Sequence, residues 1–593
     1  MRKNLLLVYL ILFSLCTFAQ VRFVSKIGSS TPPYTSWETA SDSIQKCINI
    51  CNDGDTVVVA NGVYKEFLIT KTAITLLGSS MDSCIIDGTG LGVYYTVEAK
   101  KITLAGFKII GKGVSTGMWN AVVSANNINI NSCTITNANV GVAIGPSSGR
   151  VENLIIKDVE IGVHTFCAYD TCKPVISNCV ILLRHYQGNL LMGIDNYHNG
   201  QPTVENNIIL GPPKQSASGI SNLIFLKSMK VWGNMIAGFI YNIEVNSIID
   251  TALIVNNVLL DYQKRGDSDY EGSIWAVGDK SYIRNNIIAN SYIGINVLGS
   301  PNSDYNLFWN NSTNATDARG IGAHDIFADP MFVKDTLAYS GMGDFHLQKY
   351  SPAIDAGDPS ILDKDGSRSD IGMYGGPTGE SYTYQDLAPK PPRNLTAAVN
   401  NGNITLKWLK NTETDFSYYK VYRDESANFT YDSTKTIALI SDTTYTEPIP
   451  QEGKTIYYKV TAWDNTYHQS PASEEVAVKI TNVEKPLLIA NDYKLFQNYP
   501  NPFNPTTMIS YRIKERGYVK LVVHDIKGEL VKVLVNKEQE AGYYEETFSA
   551  DGLTQPDLGA NNFASGIYLF SLTVIGEKGI PVFTDMKKSI LLK

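Results

Sequence analysis

A six-residue pattern (apolar, any, Asn or small, Asn or Cys, any, apolar) recurs loosely through the first half of the chain. Its copies include VENNII (204–209), IVNNVL (254–259) and IRNNII (283–288), and successive copies start 20 to 29 residues apart. Short alternating segments such as GVHTF (162–166) and GIDNY (193–197) lie between them. Alternation of period two is typical of strands, and Asn and Gly are typical of corners, so each unit predicts one turn of a stacked coil.

This repeat predicts a right-handed parallel β-helix, in which every strand pairs with its counterpart one turn on. A leucine-rich repeat is the competing architecture, but its Leu-rich consensus is absent from these units. Asparagines recur at one position of the pattern, and stacked amides can bond from turn to turn. We therefore expect an asparagine ladder made of Asn153, Asn178, Asn206, Asn256 and Asn285.

Alternation also predicts which side chains face the interior of the coil. When the segments are aligned, the second positions point inward and the third positions outward. The inward set is Val142, Val163, Ile194, Ile220, Ile243, Ile274 and Ile295. The outward set is Ala143, His164, Asp195, Ser221, Glu244, Trp275 and Asn296, and fifth positions add Phe166, Tyr197 and Asn246 to the same face.

A helical pattern precedes the first repeat, in the segment TSWETASDSIQKCINIC (35–51). Thr35 and Glu38 have the spacing of a capping box. Apolar residues then recur at helical spacing, namely Trp37, Ala40, Ile44, Cys47, Ile48 and Cys51. We expect a helix here that covers the first turn, because the open end of a coil exposes unpaired backbone.

Two segments of this region resemble a known family. The run SWETASDSIQKCINICNDGDTVVVANGVYKE (36–66) resembles the start of bacterial pectate-lyase-like right-handed β-helix proteins. The segment at 329–377, from DPMFVKD to MYGGP, is similar to their C-terminal closing segment. The resemblance implies a β-helix over 20–378 and a role in binding or cleaving polysaccharide, although many members of the superfamily have no known activity.

A proline-rich linker at 379–390 separates the repeat region from a segment of different composition. The strands ending at Trp408, YYKVYR (418–423) and TIYYKVTAWD (455–464) are spaced as in a β-sandwich. Their order resembles a fibronectin type III domain over 391–480, which implies a spacer or sugar-proximal module.

The last segment, after a second linker at 481–493, contains alternating strands joined by Gly turns and predicts another small sandwich. Its motifs are NPFNPTT, HDIKGELV, ASGIYLF and KKSILLK, in that order. Together they resemble the type A C-terminal sorting domain of the type IX secretion system, over 494–593. The overall expectation is therefore an all-β chain: a right-handed parallel β-helix followed by two β-sandwich domains.

The N-terminus has the pattern of a signal peptide over residues 1–19. Arg2 and Lys3 precede an apolar stretch at 5–15, and Thr17-Phe18-Ala19 suits cleavage. No later segment has 18 continuous apolar residues, so no transmembrane helix is expected in the mature chain. With the sorting resemblance, this implies a secreted or outer-membrane cell-surface protein whose C-terminal domain engages the type IX machinery.

Charge and cysteine content narrow the function classes. The net charge of −8 does not suggest a nucleic-acid partner, which requires a basic face. Seven cysteines follow the signal peptide, an odd number, which argues against a disulfide scaffold. Cys167 and Cys172 can close a small loop, and buried thiols are the expectation for the others.

The outward column carries the candidate chemistry. Catalytic candidates are Asp195, Glu244 and His164, because two carboxylates about two turns apart suit an inverting glycosidase. Tyr197, Ser221, Trp275, Phe166, Arg184 and His198 are substrate-binding candidates, since aromatic faces stack on sugar rings and polar groups bind hydroxyls. The column has no Lys or Arg, so it departs from what the best-known lyases of this shape require, and a plain solvated face remains the simplest alternative.

Calcium is the one cofactor that the sequence indicates. Asp363, Asp365 and Asp370 surround a Gly turn in DKDGSRSD, and oxygen ligands at alternate positions suit Ca²⁺. The closing Glu of a full calcium loop is absent, so a structural turn is the alternative. Two functions stay open: a polysaccharide lyase or hydrolase, and a non-catalytic surface adhesin or glycan-capture module.

Overall fold

The computed structural model describes residues 19–91, 97–113, 121–146, 148–167, 172–184, 191–212, 217–222, 228–246, 250–260, 272–335, 343–400, 402–450, 453–480, 492–550 and 564–592. The side chains of Lys100, His198, Ala217 and Asn246 are not described. The predicted signal peptide and most of the second linker lie outside these ranges. The chain divides into two compact units, Met1–Phe327 with Ala353–Tyr382, and Ala328–Pro352 with Thr383–Lys593.

The first unit consists of one helix, α1 (Ile44–Ile48), and a single sheet of parallel strands. Its earlier strands are Val21–Val24 (β1), Thr56–Val59 (β2), Gly62–Tyr64 (β3), Leu68–Thr70 (β4), Ile74–Gly78 (β5), Cys84–Asp87 (β6), Val97–Ala105 (β7), Lys108–Ile110 (β8), Ala121–Asn131 (β9), Thr134–Ile144 (β10), Arg150–Glu152 (β11), Ile155–Cys167 (β12), Val175–Ser177 (β13), Val180–Leu183 (β14) and Leu191–His198 (β15). Its later strands are Thr203–Glu205 (β16), Ile208–Leu210 (β17), Ala217–Asn222 (β18), Met229–Trp232 (β19), Met235–Ala237 (β20), Tyr241–Asn246 (β21), Ala252–Val255 (β22), Val258–Leu260 (β23), Ile274–Val277 (β24), Ser281–Arg284 (β25), Ile287–Ala289 (β26), Ile293–Leu298 (β27), Asn302–Asp304 (β28), Leu307–Trp309 (β29), Thr313–Ala315 (β30) and Ile326–Phe327 (β31), with a 3₁₀ turn at Ala318–Gly320.

Each strand pairs in parallel with the strand about one turn further on, which is the signature of a parallel β-helix. The third of its three columns of strands runs through β4, β7, β9, β10, β12, β15, β18, β21, β24, β27 and β30. The longest strands, such as β12, belong to two columns because they continue around a corner. Every predicted inward residue from Val142 to Ile295 is fully buried, so the predicted alternation is confirmed.

The predicted asparagine ladder is wrong for the most part: among the five predicted residues, the described contacts join one pair, in which Asn285 Nδ2 donates to Asn256 Oδ1 at 3.3 Å. Asn153, Asn178, Asn206, Asn256 and Asn285 all have φ between +53° and +56°, a left-handed conformation that Asn tolerates better than most residues. The corner they form turns the following side chain inward. The observed ladder, called the asparagine ladder below, consists of Asn207, Asn257 and Asn286, which follow three of these residues, together with Asn234 and Asn306 at the same position of other turns. They are joined by amide–amide bonds of 2.9 to 3.0 Å.

The left-handed asparagines instead hold the segment Ala353–Tyr382, which packs along the corner of the β-helix. Asn256 Nδ2 donates to the Asp370 carbonyl at 2.8 Å, and Asn285 Oδ1 accepts from the Asp358 amide at 2.7 Å. The corner thus makes two sets of amide contacts, one inward and one outward.

The predicted N-terminal helix is much shorter than its apolar pattern. It begins at Ile44, where the Ser43 side chain accepts from the Lys46 amide and replaces the predicted capping box at Thr35. Glu66 accepts from the Ser43 hydroxyl and from two further backbone amides of the first turn. Trp37 is 44% exposed, since it precedes the helix rather than lying on its buried face.

The second unit contains antiparallel sheets only. Phe332–Lys334 (β32) pairs with Asp344–Leu347 (β33). Two sheets follow, and their inner faces share one core. The three-stranded sheet consists of Thr396–Asn400 (β34), Asn403–Lys407 (β35) and Thr444–Pro448 (β38). The four-stranded sheet consists of Thr436–Ile440 (β37), Phe416–Asp424 (β36), Thr455–Asp464 (β39) and Val476–Lys479 (β40), and a 3₁₀ turn at Ser433–Lys435 precedes β37.

A second pair of sheets with its own core ends the chain. It consists of Lys494–Leu495 (β41), Thr506–Ile513 (β42) and Gly542–Ser549 (β45), then Leu530–Gln539 (β44), Gly517–Asp525 (β43), Gly566–Ile575 (β46) and Pro581–Leu591 (β47). The predicted all-β class, a parallel β-helix followed by two β-sandwich domains, is confirmed. In the described ranges, no helix is long and apolar enough to cross a membrane.

Candidate functional site

The third column of strands brings five predicted site residues into register. His164 on β12 pairs with Asp195 on β15, which pairs with Ser221 on β18. Ser221 pairs with Glu244 on β21, and Glu244 pairs with Trp275 on β24. These five residues, called the site column below, alternate with fully buried inward residues, so their side chains lie on the outer side of the strands.

His164 and Asp195 form the first polar contact of the site column. His164 Nδ1 lies 2.7 Å from Asp195 Oδ2, and both side chains are largely buried. In the part of the chain that the structure describes, the other oxygen of Asp195 accepts no hydrogen bond. Among the described residues, His164 is therefore the side chain that holds the Asp195 carboxyl group in place.

Glu244 is the second carboxyl group and is only 8% exposed. Its Oε2 accepts hydrogen bonds from Ser218 at 2.7 Å and from Ser221 at 3.3 Å. Burial raises the pKa of Glu244, the two serine hydroxyls oppose that shift, and the nearby charge of Asp195 adds to it. The two carboxyl groups of one column therefore have different environments: Asp195 is paired with an imidazole, and Glu244 is buried against two hydroxyl groups and has a raised pKa.

Aromatic rings flank the polar residues on the same face. Phe166 and Tyr197 stack with ring centroids 5.9 Å apart and an interplanar angle of 14°. Tyr197 also lies 6.2 Å from the His164 ring, and Phe166 is 39% exposed. The Trp275 ring contacts Tyr241 at 6.0 Å. Apolar ring faces beside acidic groups are a surface on which a sugar ring can stack.

Inward-facing polar side chains on the same strands form hydrogen bonds with one another. Thr165 Oγ1 donates to Asn196 Oδ1 at 2.6 Å, and Asn196 Nδ2 donates to Asn222 Oδ1 at 2.6 Å. All three side chains are buried. This short chain of hydrogen bonds fixes the register of β12, β15 and β18, and hence the relative positions of His164, Asp195 and Ser221.

Ser218 and Tyr241 are two site residues that the sequence pattern did not reveal. Each lies two residues before an inward isoleucine, so strict alternation assigns it to the interior. Both lie near the start of their strands, where the chain leaves a corner, and they pair with each other in register. Their only signal in the sequence is a polar residue or a tyrosine at a position where other units have an aliphatic one.

Two predicted binding residues are not brought to the site column by described contacts. Arg184 follows β14, its amide donates to the Val159 carbonyl, and its Nε is buried without a hydrogen-bond partner in the described chain. His198 ends β15 opposite Cys167, but its side chain lies outside the described residues. Cys167 forms a disulfide with Cys172, as their spacing allowed, directly after Phe166.

The three aspartates predicted to bind calcium serve as turn caps. Asp363 accepts from the amides of Asp370 and Gly376 at 3.1 and 2.5 Å, and Asp370 Oδ1 accepts from the Asp355 amide at 2.9 Å. Asp365 accepts from the amide and hydroxyl of Ser367. Their role as calcium ligands stays a prediction.

The site column itself does not fit calcium. The ion takes six to eight oxygen ligands, whereas the column offers two carboxyl groups, one of them paired with His164 and the other bound by Ser218 and Ser221. The reaction proposed below for this face therefore does not use calcium.

Comparisons with known proteins identify no family. No protein-family model matches the sequence, and no curated protein is significantly similar to it. Among solved structures, the pectate lyase Pel9A is similar at 12% identity and a TM-score of 0.42, over 62% of this chain and 97% of that chain.

Two further solved structures are similar to parts of the chain. An Fn3-like protein from Clostridium thermocellum matches at 26% identity over 17% of this chain and 100% of its own, with a TM-score of 0.14. Latent PorU from Porphyromonas gingivalis matches at 13% identity over 36% of this chain and 21% of its own, with a TM-score of 0.19. Since all three scores are below 0.5, the fold described above rests on the strand pairing of this chain alone.

Proposed function

We propose that the outer face around the site column binds a polysaccharide and hydrolyses its glycosidic bonds. The observation that carries this proposal is the pair Asp195 and Glu244: two carboxyl groups in one column, one of which contacts the His164 imidazole while the other is buried against two serine hydroxyls and has a raised pKa. Such a pair is what acid–base cleavage of a glycosidic bond needs. The stacked rings of Phe166 and Tyr197 supply an apolar surface beside it.

Glu244 is the general acid in this proposal. Ser218 and Ser221 bind one of its oxygens, so the other can carry the proton that is delivered to the glycosidic oxygen as the bond breaks. Asp195, oriented by His164, takes a proton from the water that attacks the sugar carbon. Water is added across the bond, and both carboxyl groups return to their starting states by exchange with solvent.

The spacing of the column favours inversion at the sugar carbon. Asp195 and Glu244 are two turns apart with Ser221 between them, which corresponds to about 9 to 10 Å between backbones at the usual strand spacing. Side chains from such positions suit the separation of about 6.5 to 9.5 Å found in inverting enzymes, which leaves room for a water molecule.

A screen of purified residues 20–593 on neutral and uronate polysaccharides, with and without calcium, tests the proposal. New reducing ends without ultraviolet absorbance from unsaturated products indicate hydrolysis, and unsaturated products indicate a lyase. Binding without any cleavage supports the second candidate, a glycan-capture module, which the exposed Phe166 and Tyr197 pair favours. If the protein neither binds nor cleaves any of the polymers, both candidate functions are contradicted.

We also propose that the protein is exported and sorted by the type IX route through residues 494–593. The order of the four motifs and the two-sheet architecture of this region support the proposal. The NPFNPTT segment packs on the last strand: the Ile590 amide donates to Asn501 Oδ1 at 2.9 Å, and the Phe503 amide donates to the Ile590 carbonyl at 2.9 Å. The first and last motifs therefore act as one structural unit.

Expression in a bacterium with a type IX system tests the sorting proposal. The full chain is expected at the cell surface or in the medium, and a chain ending at residue 493 is expected to remain in the periplasm. Equal export of both chains contradicts the proposal.

A further inference from the structure

A group of metal-ligating side chains lies in the second unit, away from the site column. Asp386, Asp464 and His468 each offer one ligand atom, and these atoms lie within 4.8 Å of one another. His468 Nδ1 is 3.1 Å from Asp464 Oδ2 and 3.5 Å from Asp386 Oδ1. Within the described ranges, no other group of three such ligands comes together in this way.

Local backbone structure accounts for the position of His468. Strand β39 ends at Asp464, whose Oδ1 accepts from the amides of Thr466 and His468 at 2.9 and 2.8 Å. This capped turn folds the chain back, so that the His468 ring lies beside the Asp464 carboxylate. Asp464 is itself fully buried.

Asp386 approaches from the segment that precedes the first sandwich. Its neighbour Gln385 bridges to Gln348, and the Lys349 ammonium lies 3.3 Å from Asp386 Oδ2. Asp386 Oδ1 therefore points to the other side, towards His468. The Thr466 hydroxyl lies within 3.3 Å of Asp386 Oδ1, Asp464 Oδ1 and His468 Nδ1.

A further buried aspartate, Asp415, lies beside this cluster, since the Asn465 amide, next to Asp464, donates to the Asp415 carbonyl at 3.0 Å. Asp415 is 5% exposed, and in the described chain its carboxylate accepts no hydrogen bond from another residue. Lys349 is the one cation paired with Asp386 in the described chain, and it lies on the far carboxylate oxygen. Negative charge in this cluster is thus not fully compensated.

We propose that Asp386, Asp464 and His468 bind a divalent transition-metal ion, with zinc as the leading candidate. Bonds of about 2.1 Å at tetrahedral angles place neighbouring ligand atoms about 3.4 Å apart, close to the two distances given above. One imidazole nitrogen with two carboxylate oxygens suits zinc better than calcium, which takes oxygen ligands in larger number. Water, or the Thr466 hydroxyl after a rotation, completes the fourth position.

The role of the ion is structural in this proposal. Asp386 lies in the predicted linker at 379–390, whereas Asp464 and His468 lie at the end of β39 and in the turn after it. A bound ion ties the linker to the first sandwich of the same unit. This site does not depend on the proposed hydrolase function.

Calorimetric titration of zinc chloride into the untagged, metal-stripped chain of residues 20–593 tests the proposal. The wild type is expected to bind one zinc ion, and His468→Ala and Asp386→Asn are each expected to weaken the affinity at least about tenfold. His324→Ala is the matched control, since His324 also pairs with an aspartate, Asp304, at 2.8 Å. Its affinity for zinc should equal that of the wild type.

Three results overturn the proposal: no zinc binding by the wild type, equal binding by wild type and His468→Ala, or binding of calcium alone. A cobalt-loaded wild type provides a second readout that does not depend on how well the variants fold. Its visible absorption should be intense, as for four-coordinate cobalt, and should vanish when zinc is added. Weak absorption typical of six coordination contradicts the proposed geometry.

Discussion

The asparagine ladder and the site column both stack one residue per turn and both contain buried polar side chains, but their polar groups are used differently. In the ladder, each amide such as Asn257 donates to the next turn and accepts from the previous one. In the site column, Asp195 and Glu244 each keep one oxygen that accepts no hydrogen bond in the described chain. A closed set of hydrogen bonds stabilises the coil, whereas an open set is suited to a ligand.

The corner position of the ladder shows that its amides are not required for the fold as such. Earlier turns place apolar or thiol side chains at the same position, namely Phe107, Cys133, Leu154 and Cys179, all of them buried. The change to Asn occurs at Asn207, whose Oδ1 accepts from the Cys179 amide at 2.9 Å. The same backbone geometry therefore accommodates either apolar or amide side chains at this position, provided that neighbouring turns carry side chains of the same kind.

Glu244→Gln is the change with the largest expected effect, because it removes the proposed proton donor. Activity on a cleaved polysaccharide should fall by about 10² to 10⁴-fold while the melting profile keeps its shape. Reducing-end assays measure the loss. Glu205→Gln on β16, which lies in another column, is the matched control and should keep full activity. Equal losses in both variants contradict the assignment of Glu244.

Asn257→Leu should destabilise the β-helix by about 2 to 4 kcal/mol, since it leaves the Asn234 backbone amide and side-chain amide without their acceptor. Denaturant unfolding followed by circular dichroism measures the change. Glycan binding at a temperature where the variant is folded should not change. Asn129→Leu, at an exposed position of β9, is the control and should stay within about 0.5 kcal/mol of the wild type. If both variants unfold alike, the ladder has no special role.

Tyr197→Ala should weaken polysaccharide binding by about 1 kcal/mol, or five- to tenfold, because it removes one ring of the stacked pair. Affinity electrophoresis or calorimetry measures the change. Tyr282→Ala removes an exposed tyrosine from β25, in a different column, and should leave affinity unchanged. If Tyr282→Ala weakens polysaccharide binding as much as Tyr197→Ala does, the binding surface lies on another face.

The smallest expected effect is on pH-dependent stability. The pKa of Glu244 is raised in the folded state, so the folded chain binds its proton more tightly than the unfolded chain does. Stability should therefore decline as pH rises from the ordinary carboxyl pKa through the raised value. Glu244→Gln should lack this decline and be the more stable protein at neutral pH. Thermal unfolding of both proteins across this window shows whether the curves diverge in that direction.

The fold was predictable from the sequence because the same pattern of alternation recurs in many copies of the repeating unit. Alternation alone assigned every inward residue from Val142 to Ile295, since a one-residue error exposes the whole apolar set. It also brought His164, Asp195, Ser221, Glu244 and Trp275 into one column. These successes share one cause, which is the strict geometry of a strand.

The errors lie where that geometry is interrupted. The asparagine ladder was placed one residue early because a left-handed corner residue such as Asn256 turns the next side chain inward, and no strand period predicts this. Ser218 was missed for the same reason, at the start of a strand. The helix start at Ile44 depended on Glu66, 22 residues away, which a local capping pattern does not include.

The most direct test of the central claim is a crystal structure of Glu244→Gln with a bound oligosaccharide from a polymer that the protein binds. We expect a sugar ring stacked on Tyr197 and Phe166, with a glycosidic oxygen within hydrogen-bond distance of residue 244 and a water molecule next to Asp195. An oligosaccharide bound to another face of the β-helix, or to a sandwich domain alone, contradicts it.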